Sequence, residues 1–261
     1  MKVINLASGS DGNVTYIESE NAKVILDMGL SCTEVVKRLA LLNVSPEQID
    51  AVLISHEHGD HMKGVDVFCG KFNKPIYAHR DVWQGLNAKL TRVKIENRRL
   101  FDGEQFEIKG LIIRPFAVPH DVPCYGFSFT ENSNKISILT DLGHTTDRIL
   151  SCVLGSQIVY IEANYDKRML SQNEKYPMSL KRRIAGPNGH LSNEDAADFI
   201  VRLVMGGTRQ IILSHLSKDN NTPDLAYNSI THFISRYGII EGQHVMIDVA
   251  SQRPGVLFKL K

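Results

Sequence analysis

Over the first thirty residues, apolar and polar positions fall into short blocks. "KVINLA", "VTYIES" and "AKVILD" each read as a strand, with the turn segments "SGSDGN" and "SEN" between them. From Thr33 to about Leu42 the period changes: Val35, Val36, Leu39 and Leu42 recur at helical spacing. "DAVLIS" is a buried strand, "HMKGVDVFCGKF" is helix-like, "KPIYAH" returns to strand and Asp81 to Leu90 to helix. The second half repeats the idea. "EQFEIKGLIIRPFAV" gives strand material, "YGFSFTE" and "KISILTD" are strands joined by a polar turn, and "SQIVYIEA" and "RQIILS" are apolar strands. A helix is predicted from Ser192 to Met205, with Ser192 and Asp195 placed as in a capping box and Gly206-Gly207 ending it. Another runs from Thr222 as N-cap, through Pro223 in the first turn, to Tyr237, with Gly238 just beyond. "VMIDVA" and "GVLFKL" close the chain as strands.

Two similar halves of strands and helices fit the α/β class, with a two-sheet core and helices outside. No repeat, low-complexity block or Pro/Gly/Ser linker splits the chain, so one domain over residues 1–261 is expected. At 43% hydrophobic the chain buries a sizeable core without staples. The formal net charge of +1 excludes a polycation, so a nucleic-acid role rests on a local basic patch. Cys32, Cys69, Cys124 and Cys152 form no CxxC, which argues against a disulfide framework or a zinc knuckle and for free thiols in a reducing cytosol. "MKVINLASGS" lacks the apolar region of a signal peptide, and no stretch reaches the length of a membrane span. The expected location is the cytoplasm, with no membrane partner.

The chemistry gathers where apolar strands end. "KVILD" ends on Asp27, "VLISH" on His56, "PFAVPH" on His120, "SILTD" on Asp141 and "IILSH" on His215. Strand ends are rigid, and the loops leaving them are where functional groups collect, so five such groups point to one convergent site. The densest segment is "SHEHGDH", with His56, His58, Asp60 and His61. His56 and His58 flank one residue and face one metal in an extended turn; Asp60 and His61 follow where a helix starts and point elsewhere. Two ligands do not saturate a divalent ion, so each pair needs partners. His120 and His215 are the candidates, and Asp141 has lone pairs to bridge two ions.

HxHxDH after an apolar strand resembles the metallo-β-lactamase superfamily. The closer resemblance is to its WalJ (YycJ) subfamily of bacterial metal-dependent nucleases, carried by "LASGSDGN", "LDMGLS", "SHEHGDHMKG", "PFAVPHD", "ILTDLG", "YIEANYD", "NGHLSNEDAA" and "LSHLSKDNNTP" along nearly the whole chain. The resemblance implies an αββα four-layer sandwich. It implies two divalent ions per chain, Zn²⁺ or Mn²⁺ with Fe²⁺ also suited. His56, His58 and His120 would hold the first, Asp60, His61 and His215 the second, and Asp141 would bridge. Asp27 would orient a ligand histidine; a turn-forming Asp before Met28-Gly29 is its plainer reading. It implies a dinuclear phosphodiesterase with a bridging hydroxide as nucleophile and Asp60 and Asp141 at the reacting centre, acting as a 5′-to-3′ exonuclease on duplex DNA in DNA repair. His190 stands 25 residues before His215, where related phosphodiesterases place a general acid; a helix-capping or structural histidine is its plainer reading.

Substrate contacts are expected from three places. "SGSDGN", with Ser8, Ser10 and Asn13 around it, offers backbone N–H groups to a phosphate or is simply a tight turn. Glu162 and Asn164 end a strand and line the site or cap it. Arg182 and Arg183 belong to "LKRR", the best basic patch, which meets a phosphate backbone or is a solvated face. His79, His144, His232 and His244 read as structural or surface residues. His120 and Asp141 are only 21 residues apart, which leaves no room for the substrate arm of transfer-RNA-processing relatives. The competing readings are a thioesterase or lactonase of the same superfamily, and a non-catalytic regulatory partner of a signalling system.

Overall fold

In the computed structural model the chain divides into two compact units, one built on Met1–Pro115 with Thr130–Asn132 and the last strand, the other on Phe116–Phe129 with Ser133–Ala250. The structure describes residues 1–250, and the backbone alone of residues 256–259.

The first unit opens with β1 (Lys2–Ala7), β2 (Val14–Glu18) and β3 (Lys23–Leu26), an antiparallel meander. Then come α1 (Cys32–Leu41), β4 (Ala51–Ile54), α2 (Gly59–Met62), α3 (Val65–Phe72), β5 (Ile76–His79), α4 (Arg80–Leu86), β6 (Arg98–Phe101) and β7 (Phe106–Ile108). The chain passes into the second unit within β8 (Leu111–Val118). It continues through β9 (Cys124–Glu131), β10 (Asn134–Leu139), α5 (Asp147–Val153), β11 (Ile158–Glu162), α6 (Lys167–Gln172) and α7 (Met178–Ile184). It finishes with α8 (Asn193–Met205), β12 (Gln210–Ser214), α9 (Pro223–Ser235), β13 (Met246–Val249) and β14 (Val256–Lys259). Among the described residues there are two seven-stranded sheets, ordered β14-β1-β2-β3-β4-β5-β6 and β13-β12-β11-β10-β9-β8-β7.

Parallel pairing is what positions the chemistry. β3, β4 and β5 run parallel, as do β10, β11, β12 and β13. Parallel neighbours deliver their C-terminal ends to one edge of a sheet. In the first unit Leu26 pairs with Leu53, so Asp27 and the Ser55-His56 segment leave side by side. In the second, Leu139 pairs with Ile161 and Glu162 with Ser214, which brings Asp141, Glu162 and His215 to one edge. β11 and β12 are apolar runs buried on both faces, as central parallel strands require. α8 lays Ala197, Ile200, Leu203 and Val204 in the same core as Val159, Ile161, Ile211 and Leu213 of those strands, and α9 adds Ile230 and Ile234. Each of the Val, Ile and Leu side chains contributes roughly 1.5–3 kcal/mol by leaving water.

Both long helices start as expected: Ser192 Oγ accepts from Asp195 N and Thr222 Oγ1 from Leu225 N. The helix-like "HMKGVDVFCGKF" splits into α2 and α3 around Gly64, where a Cβ would meet the Leu30 carbonyl oxygen at 2.2 Å. The helix expected to reach Leu90 ends at Leu86. In the expected strand "GVLFKL", β14 covers Val256–Lys259, while Gly255 and Leu260 lie outside the described residues. Periodicity did not show β6, α5, α6 or α7. α7 has no fully buried residue, and its inward face is only the half-buried Leu180 and Ile184, too short a stripe to read.

Candidate metal centre

In the first unit, Asp27 is the organiser. It sits just past β3 with φ +58, a left-handed backbone that a non-glycine residue adopts at a cost. Its N–H donates to Leu53 O at 2.8 Å, and its buried carboxylate turns towards the HxHxDH segment. Oδ2 lies 2.8 Å from His61 Nδ1; a carboxylate only accepts, so Nδ1 carries the proton and Nε2 keeps its lone pair. Ser55 donates to Asp27 twice, through N at 2.8 Å and Oγ at 2.7 Å. With its proton committed, Ser55 Oγ accepts from His56 Nδ1 at 2.9 Å. One carboxylate thus fixes His61 directly and His56 through a serine, leaving both Nε2 atoms unprotonated, the usual support of a metal-binding histidine; the His61 lone pair is met here by Asn13 Nδ2 at 3.0 Å. The rings lie close, with centroids 4.1 Å apart for His56 and His61 and 4.7 Å for His56 and His58. Two loops lock this segment. Asn13 N donates to Asp60 O and Met28 N to His61 O, and a Cβ on Gly29 would sit 1.7 Å from Asp60 O.

The second unit repeats the device around Glu162, the last residue of β11 and fully buried. Its Oε1 accepts from two imidazoles, His190 Nδ1 at 2.7 Å and His215 Nδ1 at 2.8 Å. Its Oε2 accepts from Leu142 N at 3.0 Å and Leu191 N at 3.3 Å. Four donors use up what a carboxylate offers, so Glu162 supports the histidines and is not itself a ligand. Burial works against its charge, but His190 and His215 outweigh it and hold the carboxyl below its usual range. Burial likewise lowers the His190 pKa, yet Glu162, with Asp141 behind it, raises the imidazole above its ordinary value. Asp141 (φ +59) and His215 (φ +55) share the left-handed backbone of Asp27. Asn164 Nδ2 donates to the His215 carbonyl at 2.8 Å and steadies that conformation. Asp141, Glu162, His190 and His215 each bring a candidate ligand atom within 4.8 Å of the others.

The loop from Pro187 to His190 is held from several sides. His190 N donates to Ile184 O at 2.9 Å, at the end of α7. Gly189 fits because a Cβ there would meet Ile184 O at 2.1 Å, and its carbonyl accepts from His120 Nδ1 at 3.2 Å. His120 is therefore also a ring with a protonated Nδ1 and a lone pair on Nε2. His190 stands 5.4 Å from both His120 and His215, centroid to centroid. These donor sets fit a divalent cation: neutral imidazoles held by Nδ1 and carboxylate oxygens are what such ions take.

Residues 23–216 match the family model described as a β-lactamase superfamily domain. The chain belongs to the metallo-β-lactamase superfamily. It falls in the WalJ/YycJ branch: it is 37% identical to the exodeoxyribonuclease WalJ of Streptococcus pneumoniae strain D39, covering 88% of this chain and 87% of that protein. It is 33% identical to the exodeoxyribonuclease YycJ of Bacillus anthracis, over 91% and 90% of the two chains. The metallo-β-lactamase fold protein YhfI of Bacillus subtilis superposes with a TM-score of 0.74 at 18% identity, over 99% of each chain. The fold is therefore the αββα sandwich of this superfamily, and the chain is a metal-dependent hydrolase within it. Among the described residues no helix is long and apolar enough to cross a membrane.

The expected substrate contacts fare differently. Asn13 is buried, with its amide turned onto Gly9 O at 3.2 Å and His61 Nε2 at 3.0 Å, so it braces its own loop. Ser8 is buried and Ser10 exposed. Glu162 and Asn164 are both buried, with Glu162 committed to His190 and Asn164 to the His215 carbonyl. Arg183 is engaged by Asp121, to which its Nε donates at 3.0 Å. Arg182 is exposed. Of the histidines set aside, His79 accepts from Asp81 N as the cap of α4, His144 Nδ1 donates to Pro187 O at 2.8 Å, and His244 accepts from Ile240 N. Sequence reasoning passed over Ser55, whose only signal was its place directly before His56. Asp27→Asn tests this relay. It is expected to weaken divalent-metal affinity roughly 10–100-fold, read by metal titration with the fold checked by circular dichroism.

Proposed function

We propose that residues 1–261 act as one hydrolase domain that digests DNA from an end, as a dinuclear metal-dependent phosphodiesterase. His56, His58 and His120 would hold one ion, Asp60, His61 and His215 the other, and Asp141 would bridge. Zn²⁺ or Mn²⁺ suits these ligands, with Fe²⁺ also compatible. When bound, the ions supply a water of lowered pKa as nucleophile and neutralise charge on the phosphate.

The chain's own residues do the rest. Asp27 and Ser55 keep His61 and His56 in the tautomer whose Nε2 carries the lone pair a cation would take. Glu162 does the same for His215. It also fixes His190 with Nδ1 protonated, so that Nε2–H is the proton presented to a leaving oxygen. The observation that carries the reading is this shared carboxylate, which couples a ligand histidine to a histidine suited to general acid work at 2.8 and 2.7 Å. The names of the WalJ and YycJ relatives support DNA as substrate and digestion from an end. We further propose cleavage from 5′ to 3′ on duplex DNA, a place in DNA repair and a cytoplasmic location, as the sequence motifs' resemblance implies.

The test is an assay of end-labelled duplex and single-stranded DNA and RNA with Mn²⁺ or Zn²⁺. Digestion of DNA is expected, abolished by chelation and by Asp60→Ala. A protein that cleaves none of these yet hydrolyses a thioester or lactone would favour the glyoxalase-like reading.

A further inference from the structure

The second unit holds a cavity of about 460 Å³, none of whose lining residues belongs to the histidine cluster. It opens among α6, α7 and the start of α8, and its size suits a small-molecule moiety, typically ~300–1,000 Å³. Tyr165, Leu170, Met178 and Ala185 give it an apolar floor. Lys167, Lys181 and Arg182 stand against a single carboxylate, Asp195, for a net charge of +2 on the lining.

These groups are not equally committed. Lys167 Nζ lies 3.3 Å from Asp195, and Lys181 donates to Ser171 O at 2.6 Å. Arg182 is exposed and has no ion-pair or hydrogen-bond partner among the described residues. Met178 is 60% exposed, an apolar side chain left in water beside cations. α7 packs lightly: Leu180 and Ile184 are half-buried and none of its residues is fully buried. Its C-terminal carbonyl at Ile184 instead holds His190, and Tyr165 follows Glu162 by three residues and accepts from Asn193 N at 2.9 Å. The cavity is thus built on the segments that hold the proposed acid.

We propose that this cavity takes an unpaired nucleotide of single-stranded DNA, with the base on the Tyr165–Met178 floor and its phosphate on Arg182 and Lys181. This rests on the nuclease reading and extends it: a strand placed at His190 would be anchored at a second point. The chemistry matches on both counts. An apolar floor on which Met178 is the exposed side chain and Tyr165 the buried backing accepts the face of any base, and a cationic rim accepts phosphate without reading sequence. Asp195 adds an acceptor for an exocyclic amine.

The experiment is fluorescence anisotropy of a labelled, phosphorothioate-linked dT oligonucleotide, which resists hydrolysis, with the metal-loaded full chain over a range of salt. Arg182→Glu and Met178→Glu are each expected to weaken binding at least about tenfold, and Arg182→Glu to reduce the salt slope by about one. Arg148→Glu, an exposed charge reversal on α5, is the matched control and should bind as the wild type. Wild-type affinity in both cavity variants, or equal loss in the control, overturns the proposal. A wild type that binds the oligonucleotide in this cavity but digests no nucleic acid supports the cavity and overturns the nuclease reading.

Discussion

Glu162→Gln is expected to cut phosphodiester hydrolysis by roughly 10³–10⁴-fold, because it scrambles the tautomers of two histidines at once. The glutamate receives two imidazole protons on one oxygen and two backbone protons on the other. An amide has only one accepting oxygen. Whichever way it turns, its NH₂ faces either His190 and His215 or Leu142 N and Leu191 N, donor against donor. Facing the histidines, it forces their protons to Nε2 and removes the lone pair His215 would offer a cation. Facing the backbone, it leaves two buried N–H groups unsatisfied, and stability falls by about 2–3 kcal/mol. Kinetics on DNA, metal content and thermal melting of one variant separate these. Full activity in a variant that melts as the wild type would show that Glu162 does not govern the histidines.

His190→Ala is expected to lower DNA hydrolysis by roughly 10²–10⁴-fold while leaving metal content unchanged. The two readouts belong together, because His190 contacts Glu162 and stands beside His215, and a merely structural histidine would disturb both. The leaving group sharpens the test. A deoxyribose oxygen needs a proton as it departs; a p-nitrophenolate does not. The loss on p-nitrophenyl diesters should therefore be much smaller than the loss on DNA. Equal losses on both would remove His190 from acid catalysis.

Much of this was legible in the sequence because the ligand residues sit at strand ends, and apolar strands are easy to see. Asp27, His56, Asp141 and His215 each close or follow such a run, and parallel pairing brings each group to its sheet edge. α8 and α9 were legible through their caps. What the sequence hid was pairing across distance. Ser55 is an ordinary serine until the chain brings Asp27 against it, and Glu162 looks like a strand-end carboxylate with a view of solvent until Leu142, His190, Leu191 and His215 converge on it. Arg183 likewise read as a free cation until Asp121 met it. α7 showed too short a hydrophobic period to read, since only Leu180 and Ile184 turn inwards and neither is fully buried, so its cavity could not be anticipated from pattern.

The most direct test of a dinuclear DNA-digesting centre is nucleotide release from end-labelled duplex DNA while metal-stripped protein is titrated with Mn²⁺. Release is expected to be absent without metal and to reach its plateau at two ions per chain. Release that persists in the stripped protein, or a fully loaded protein that hydrolyses a thioester but releases no nucleotide, would contradict it.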